Sequence, residues 1–169
     1  VLKHLEGFGS PKILVNDESV KSNIDNKLYV EWSSKEEIYK RSDIISLHLP
    51  LTIETKDMIK KEHLLSMKSD AIIINTSRGG IINEGDLYEV MQSGHLGGAA
   101  VDVFNNEPYD GDLNKIKRCL LTAHMGSMSI DCRTRMEIEA TEEVVRFLTG
   151  KTLKGLVPEE EYEVQRRGL

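Results

Sequence analysis

Three short stretches place a chargeable side chain just past an apolar run: Asn75-Thr76-Ser77-Arg78-Gly79-Gly80, Asp102-Val103-Phe104-Asn105-Asn106-Glu107-Pro108 and Thr122-Ala123-His124-Met125-Gly126-Ser127. A guanidinium fork at Arg78 can hold a carboxylate in two parallel hydrogen bonds, a geometry lysine does not supply. The paired glycines that follow suit a tight backbone path beside a ligand. An imidazole at His124 can exchange a proton near neutral pH. A carboxylate at Glu107, set on the far ring nitrogen, would fix the tautomer and favour the protonated ring. Taken singly, Arg78 and His124 each have an ordinary alternative: a surface arginine in a turn and a satisfied loop histidine. Their shared placement changes the odds. In an open parallel sheet the carboxyl ends of the strands gather along one edge, where ligands bind, so the three are candidates for one site.

The elements that would position them alternate in type. Val1, Leu2 and Leu5 share a helical face, with Gly7 placed to end the helix. Lys12–Val15 reads as a short buried strand closing on Asn16-Asp17, and Leu28–Val30 as a second, more exposed one. Ser34-Lys35-Glu36-Glu37 has capping-box spacing and opens a helix to about Arg41. Asp43–His48 is the next strand, stopped by Pro50, and Lys61–Met67 is helical. Asp70–Asn75, the most apolar run and rich in β-branched residues, reads as a central strand covered on both faces. Asn83 can cap a helix from Glu84 to Ser93 with Gly94 as its stop. Gly97–Val101 is a strand of very small residues, which lets another backbone come close. Arg118–Thr122 is the last strand, and Ser129 begins a helix reaching about Thr149. Its apolar side would carry Ile130, Met136, Ile138, Val144, Val145 and Leu148. The acidic stretch from Val157 is unpatterned and reads as a surface tail. Such alternation favours a parallel α/β sheet over any all-α or all-β arrangement.

Composition narrows the function classes. The 169 residues carry 22 Lys plus Arg against 28 Asp plus Glu, a net charge of −6 with no basic cluster, which argues against nucleic acid as a partner. No apolar stretch approaches a membrane span, and the first residues lack the build of a signal peptide. Cys119 and Cys132 form neither a CxxC nor a ligand-spaced cluster with histidine, so no metal site is expected and reduced thiols of a cytoplasmic protein are. Asp17, just past the first strand, has the chemistry to accept both hydroxyls of an adenosine ribose and to repel an added phosphate, although a turn aspartate is the ordinary alternative. The companion glycine-rich loop is absent: Gly7-Phe8-Gly9 follows a helix and precedes a strand, the reverse of what a pyrophosphate at a helix N-terminus requires. His48-Leu49-Pro50 ends a strand on the ligand edge, where contact with the adenine end of a cofactor or a simple strand stop are equally good readings.

Together, Leu47-His48-Leu49-Pro50-Leu51-Thr52 with Thr55, the Asn75–Gly80 stretch, Asp102-Val103-Phe104 with Glu107-Pro108, and His124-Met125-Gly126-Ser127 with Ser129 resemble the D-isomer-specific 2-hydroxyacid dehydrogenases. Order and spacing match from Val1 to about Thr149. The resemblance implies a Rossmann-type doubly wound parallel sheet and NAD as cofactor. Arg78, Glu107 and His124 would then be the catalytic set, with Arg78 on the substrate carboxylate, His124 exchanging the proton and Glu107 supporting it. Cofactor contacts would come from Asp17 at the ribose, from His48, Pro50 and Thr55, from Thr76, Ser77 and Arg78 passing the nicotinamide ring, from Asp102 at the carboxamide, and from His124 and Gly126. Cys132-Arg133 with Met136-Glu137 and the Val157-Pro158-Glu159 tail look most like phosphoglycerate-dehydrogenase-like members. The family's first nucleotide-domain strand, its glycine loop and the amino-terminal part of its substrate domain have no counterpart here, so the expectation is a fragment. Residues 1–150 would be a partial NAD-binding domain and 151–169 a tail returning toward a substrate domain. The missing strand would open a gap beside Lys12–Val15. The implied partners are a small 2-hydroxy or 2-keto acid and a second copy of the chain, with the isolated chain inactive. A non-catalytic, NAD-sensing protein of the corepressor type is the alternative on the same scaffold.

Overall fold

A computed structural model describes residues 1–9, 11–17 and 30–156. Helix α1 (Leu2–Leu5) runs into a 3-10 turn at Glu6–Phe8. Strands β1 (Ile13–Val15) and β2 (Val30–Trp32) pair in parallel with Ile13 opposite Val30. The expected strand at Leu28–Val30 therefore meets the structure at Val30, while Leu28 and Tyr29 lie outside the described residues, as does the tail from Val157. Helix α2 (Lys35–Arg41) starts where the capping spacing places it, the Ser34 hydroxyl accepting the Glu37 N–H at 3.1 Å.

From there strand and helix alternate: β3 (Ile44–Leu47), α3 (Lys61–Ser66), β4 (Ile72–Asn75), α4 (Glu84–Ser93), β5 (Gly98–Val101), then β6 (Cys119–Leu121) and α5 (Ile130–Leu148). The strands form one four-stranded sheet in the order β3-β4-β5-β6, all parallel. Between β5 and β6 the chain makes only a 3-10 turn at Asp112–Lys115, an element without an obvious sequence signal. Close backbone approach at β5 is real: a Cβ on Gly97 would overlap the Asp70 carbonyl.

The core lies on one face of this sheet. Ile45, Leu47, Ile73, Ala99 and Val101 point into it and meet Leu64 of α3 and Leu87, Val90 and Met91 of α4. The opposite face corrects the expectation that β4 is covered on both sides. Among the described residues that face is open, with Ile44 61% and Leu120 66% exposed and Ile72 exposed beside them. Strand order explains this. Steps from β3 to β4 to β5 all run in one direction, and right-handed crossovers then place α3 and α4 on the same side. Helix α5 is likewise unburied along its length, so its apolar residues Met136, Ile138, Val144 and Val145 face outward. Strands β1 and β2 form a sheet of their own, separate from β3–β6.

Candidate active site

The parallel sheet sends the ends of β4, β5 and β6 to one edge, and each end begins a loop with a functional side chain. After β4, the buried side chain of Asn75 folds the Arg78 loop. Its Nδ2 donates to the Arg78 carbonyl at 2.9 Å, and its Oδ1 accepts the Ser77 N–H at 3.1 Å and the Ser77 hydroxyl at 2.8 Å. An apolar residue at that position would leave three loop groups without partners. Arg78 itself is exposed, with Nη1 on the Ser77 carbonyl at 2.6 Å. Gly79 then presses against the next loop, where an added Cβ would overlap the Phe104 carbonyl.

After β5, Asp102 organises the histidine loop. Its backbone carbonyl accepts the His124 N–H at 2.8 Å. Its carboxylate oxygen Oδ1 accepts the Thr122 hydroxyl and, at 2.9 Å, the Met125 N–H. Burial, the largest single influence, pushes this carboxyl up, but the hydrogen bonds from Thr122, Met125 and Gly126 and the nearby His124 together hold Asp102 below the ordinary range. These contacts bracket His124, whose φ of 52° lies in the left-handed region that non-glycine residues seldom adopt. A conformation of that kind persists only where its surroundings over-determine it.

Glu107 closes the arrangement. Its Oε1 accepts the Phe104 N–H at 3.0 Å, and its Oε2 lies 3.0 Å from His124 Nδ1. The Phe104 N–H first, and His124 second, hold this carboxyl below the usual glutamate range. An ionised carboxylate only accepts, so Nδ1 must be the donor and carries the ring proton of the neutral imidazole. Nε2 is left with its lone pair, and the ring is half exposed. The pairing of Glu107 with His124 expected from the sequence is thus made directly. Arg78 joins the pair through the Gly79–Phe104 backbone contact and not through a side-chain bond.

The remaining candidates follow strands β1, β3, β4 and β6. Asp17 is exposed two residues past β1, and Thr76 is exposed past β4. His48, past β3, has Nε2 2.9 Å from the Ser46 hydroxyl. Thr55 uses its hydroxyl inside the loop after β3, donating to the Pro50 carbonyl and accepting the Thr52 N–H, each at 2.7 Å. It shapes the loop that presents Pro50. Around Gly126 a Cβ would meet nothing within 4 Å, so backbone and open space coincide there. This set of exposed acceptors, hydroxyls and open glycine fits the ribose and nicotinamide ends of a dinucleotide. No cluster of residues able to hold a metal ion occurs among the described residues, nor does a helix long and apolar enough to cross a membrane. Sequence reading assigned no site role to Asn75 or to Glu84, whose carboxylate Oε1 accepts the Asn105 N–H at 2.7 Å.

A parallel α/β sheet with helices in its crossovers, its strand ends gathered along one edge, is a Rossmann-type fold. Residues 1–126 match the family described as "D-isomer specific 2-hydroxyacid dehydrogenase, NAD binding domain", and the chain belongs to that family, whose cofactor is NAD. It is similar to glyoxylate reductases of Korarchaeum cryptofilum, 36% identical over all of this chain and 51% of the relative, and of Aeropyrum pernix, 37% identical over 97% of this chain and 49% of the relative. Among solved structures, D-mandelate dehydrogenase of Rhodotorula graminis superposes with a TM-score of 0.82 at 30% identity, covering 93% of this chain and 46% of that one. The chain spans about half the length of these relatives.

Proposed function

We propose that this chain supplies the carboxylate-binding and proton-transfer residues of an NAD-dependent D-2-hydroxyacid dehydrogenase that reduces a small 2-keto acid such as glyoxylate. The observation that carries the reading is the His124 Nδ1 to Glu107 Oε2 hydrogen bond, made by a carboxyl held ionised at the edge that also bears Arg78. Kinship with glyoxylate reductases supports a substrate with little or no side chain at C2.

In this reading Arg78 grips the substrate carboxylate and turns C2 toward the cofactor side of the edge, which favours reaction by orientation. His124, protonated, donates from Nε2 to the keto oxygen as it becomes a hydroxyl; in the reverse direction neutral Nε2 takes the hydroxyl proton. Glu107 is a positioning residue that keeps Nε2 on the substrate side. Asp17 would hold a ribose, Thr76, Ser77, Asp102 and Gly126 would border the nicotinamide, and His48 and Pro50 would border the adenine end. NAD, when bound, supplies the hydride acceptor or donor at C2. In this reading residues 1–150 act as the nucleotide-side unit and 151–169 as a connection toward a substrate domain, and residues 1–169 alone are inactive. A homodimer in the cytoplasm is the assembly we infer from the family.

The test is NADH oxidation by the protein at its natural full length, against a panel of 2-keto acids that includes glyoxylate, branched members and phosphorylated members. Robust oxidation with glyoxylate is expected, and preference for a phosphorylated member would instead favour the phosphoglycerate-dehydrogenase-like subgroup. NADH binding without oxidation of any member would replace this reading with the NAD-sensing corepressor type.

A further inference from the structure

We propose that Glu84, in the first turn of α4, is a positioning residue that sets the tautomer of His124 from a distance, through the loop that carries Glu107. The inference rests on the reading of Glu107 and His124 as a proton-transfer pair. Glu84 Oε1 accepts the Asn105 N–H at 2.7 Å, and that N–H belongs to the same peptide unit as the Phe104 carbonyl. The carbonyl end of this unit lies against Gly79, where a Cβ would overlap it. One peptide is therefore gripped at both ends, by α4 on one side and by the Arg78 loop on the other. The preceding N–H, that of Phe104, is the donor that fixes Glu107 Oε1 at 3.0 Å and leaves Oε2 facing His124 Nδ1.

The grip has a firm base. Helix α4 is anchored by buried Leu87, Val90 and Met91, and its start is held by Asn83, whose Oδ1 accepts the Asp86 N–H and whose Nδ2 donates to Asp57. Phe104 is itself buried and stacks on Tyr109 with ring centroids 4.1 Å apart. If Glu84 lets go, the Phe104–Asn105 peptide is free to turn, Glu107 loses the geometry of its Phe104 anchor, and its hold on Nδ1 weakens. A glutamate in a first helical turn also has a plainer use, as a negative charge at the positive end of the helix dipole. The two roles differ in what they require. The dipole needs the charge, whereas the grip needs only an acceptor oxygen at the right reach.

Histidine-labelled chain, with the His124 signals identified by their loss in His124→Gln, reports the tautomer through its ring-nitrogen shifts at a pH where the ring is neutral. The unmodified chain is expected to hold mainly the Nδ1–H form. In Glu84→Ala the ratio of Nδ1–H to Nε2–H should fall by roughly tenfold, the size expected from weakening one charge-assisted hydrogen bond. Glu84→Asp, which keeps the charge and a good helix start but shortens the reach, should show the same fall even if the alanine variant does not fold. Glu84→Gln should stay close to the unmodified chain. An unchanged ratio in Glu84→Ala or Glu84→Asp would overturn the proposal, and so would an equal fall in Glu84→Gln and Glu84→Ala, which assigns the effect to the dipole. A mainly Nε2–H ring in the unmodified chain would overturn the reading of the Glu107–His124 pair itself.

Discussion

His124 is useful because two different groups fix two different things about it. Glu107 fixes which nitrogen carries the proton, and Asp102 fixes where the backbone puts the ring. The second is the costlier task, since a φ of 52° is uncommon for a residue with a side chain. Thr122 serves it by donating to the buried Asp102 carboxylate. Thr122→Val removes that donor from a charged acceptor, so unfolding in urea should show a loss of about 1.5 to 3 kcal/mol, the usual worth of a hydrogen bond to a charged group. Thr122→Ser should restore most of it. Equal stability of the valine variant would mean that Asp102 is held without Thr122. The residue types of this site were legible in the sequence, because an arginine, a glutamate and a histidine after successive strands have few common chemical uses. The residues that lock them were not. Glu84 and Asn105 stand 21 positions apart, and their bond exists only because α4 starts beside the loop that follows β5.

Elements bounded by local signals matched their expected limits. Helix α4 starts after Asn83 and stops at Gly94, which has a φ of 82°, because a side-chain acceptor and a left-handed stop act within a few residues of the boundary. The open face of the β3–β6 sheet was not legible. The run Ile72-Ile73-Ile74 is apolar on both faces whatever covers it, and only strand order and crossover hand reveal that α3 and α4 share a side. At the other end of the fold, Glu31 joins β2 to α2. Its carboxylate takes both Arg41 terminal nitrogens, at 2.6 and 3.0 Å, and Lys12 Nζ lies at 2.9 Å. Arg41 first, then Lys12, lower its carboxyl from 4.5 to about 2. A carboxyl depressed in the folded state contributes stability that is fully present above 4.5 and is lost as pH falls toward about 2. Glu31→Gln should therefore melt at a lower temperature than the unmodified chain near neutral pH, and the two melting curves should converge across that acid window. A gap that stays constant through the window would show that the pairing with Arg41 and Lys12 does not act through this ionisation.

On the scale of the whole molecule, one packed core holds an edge on which β4, β5 and β6 deliver Arg78, Glu107 and His124. Among the described residues, the far side of the sheet and the outer side of α5 are apolar surfaces left open. The account stands or falls on His124 as the group that moves the proton. Glyoxylate reduction by the full-length protein and its His124→Ala variant tests this most directly. Turnover should drop by about two to four orders of magnitude, the range for a positioned acid or base, while NADH affinity changes little. Near-normal turnover in the variant would contradict the account.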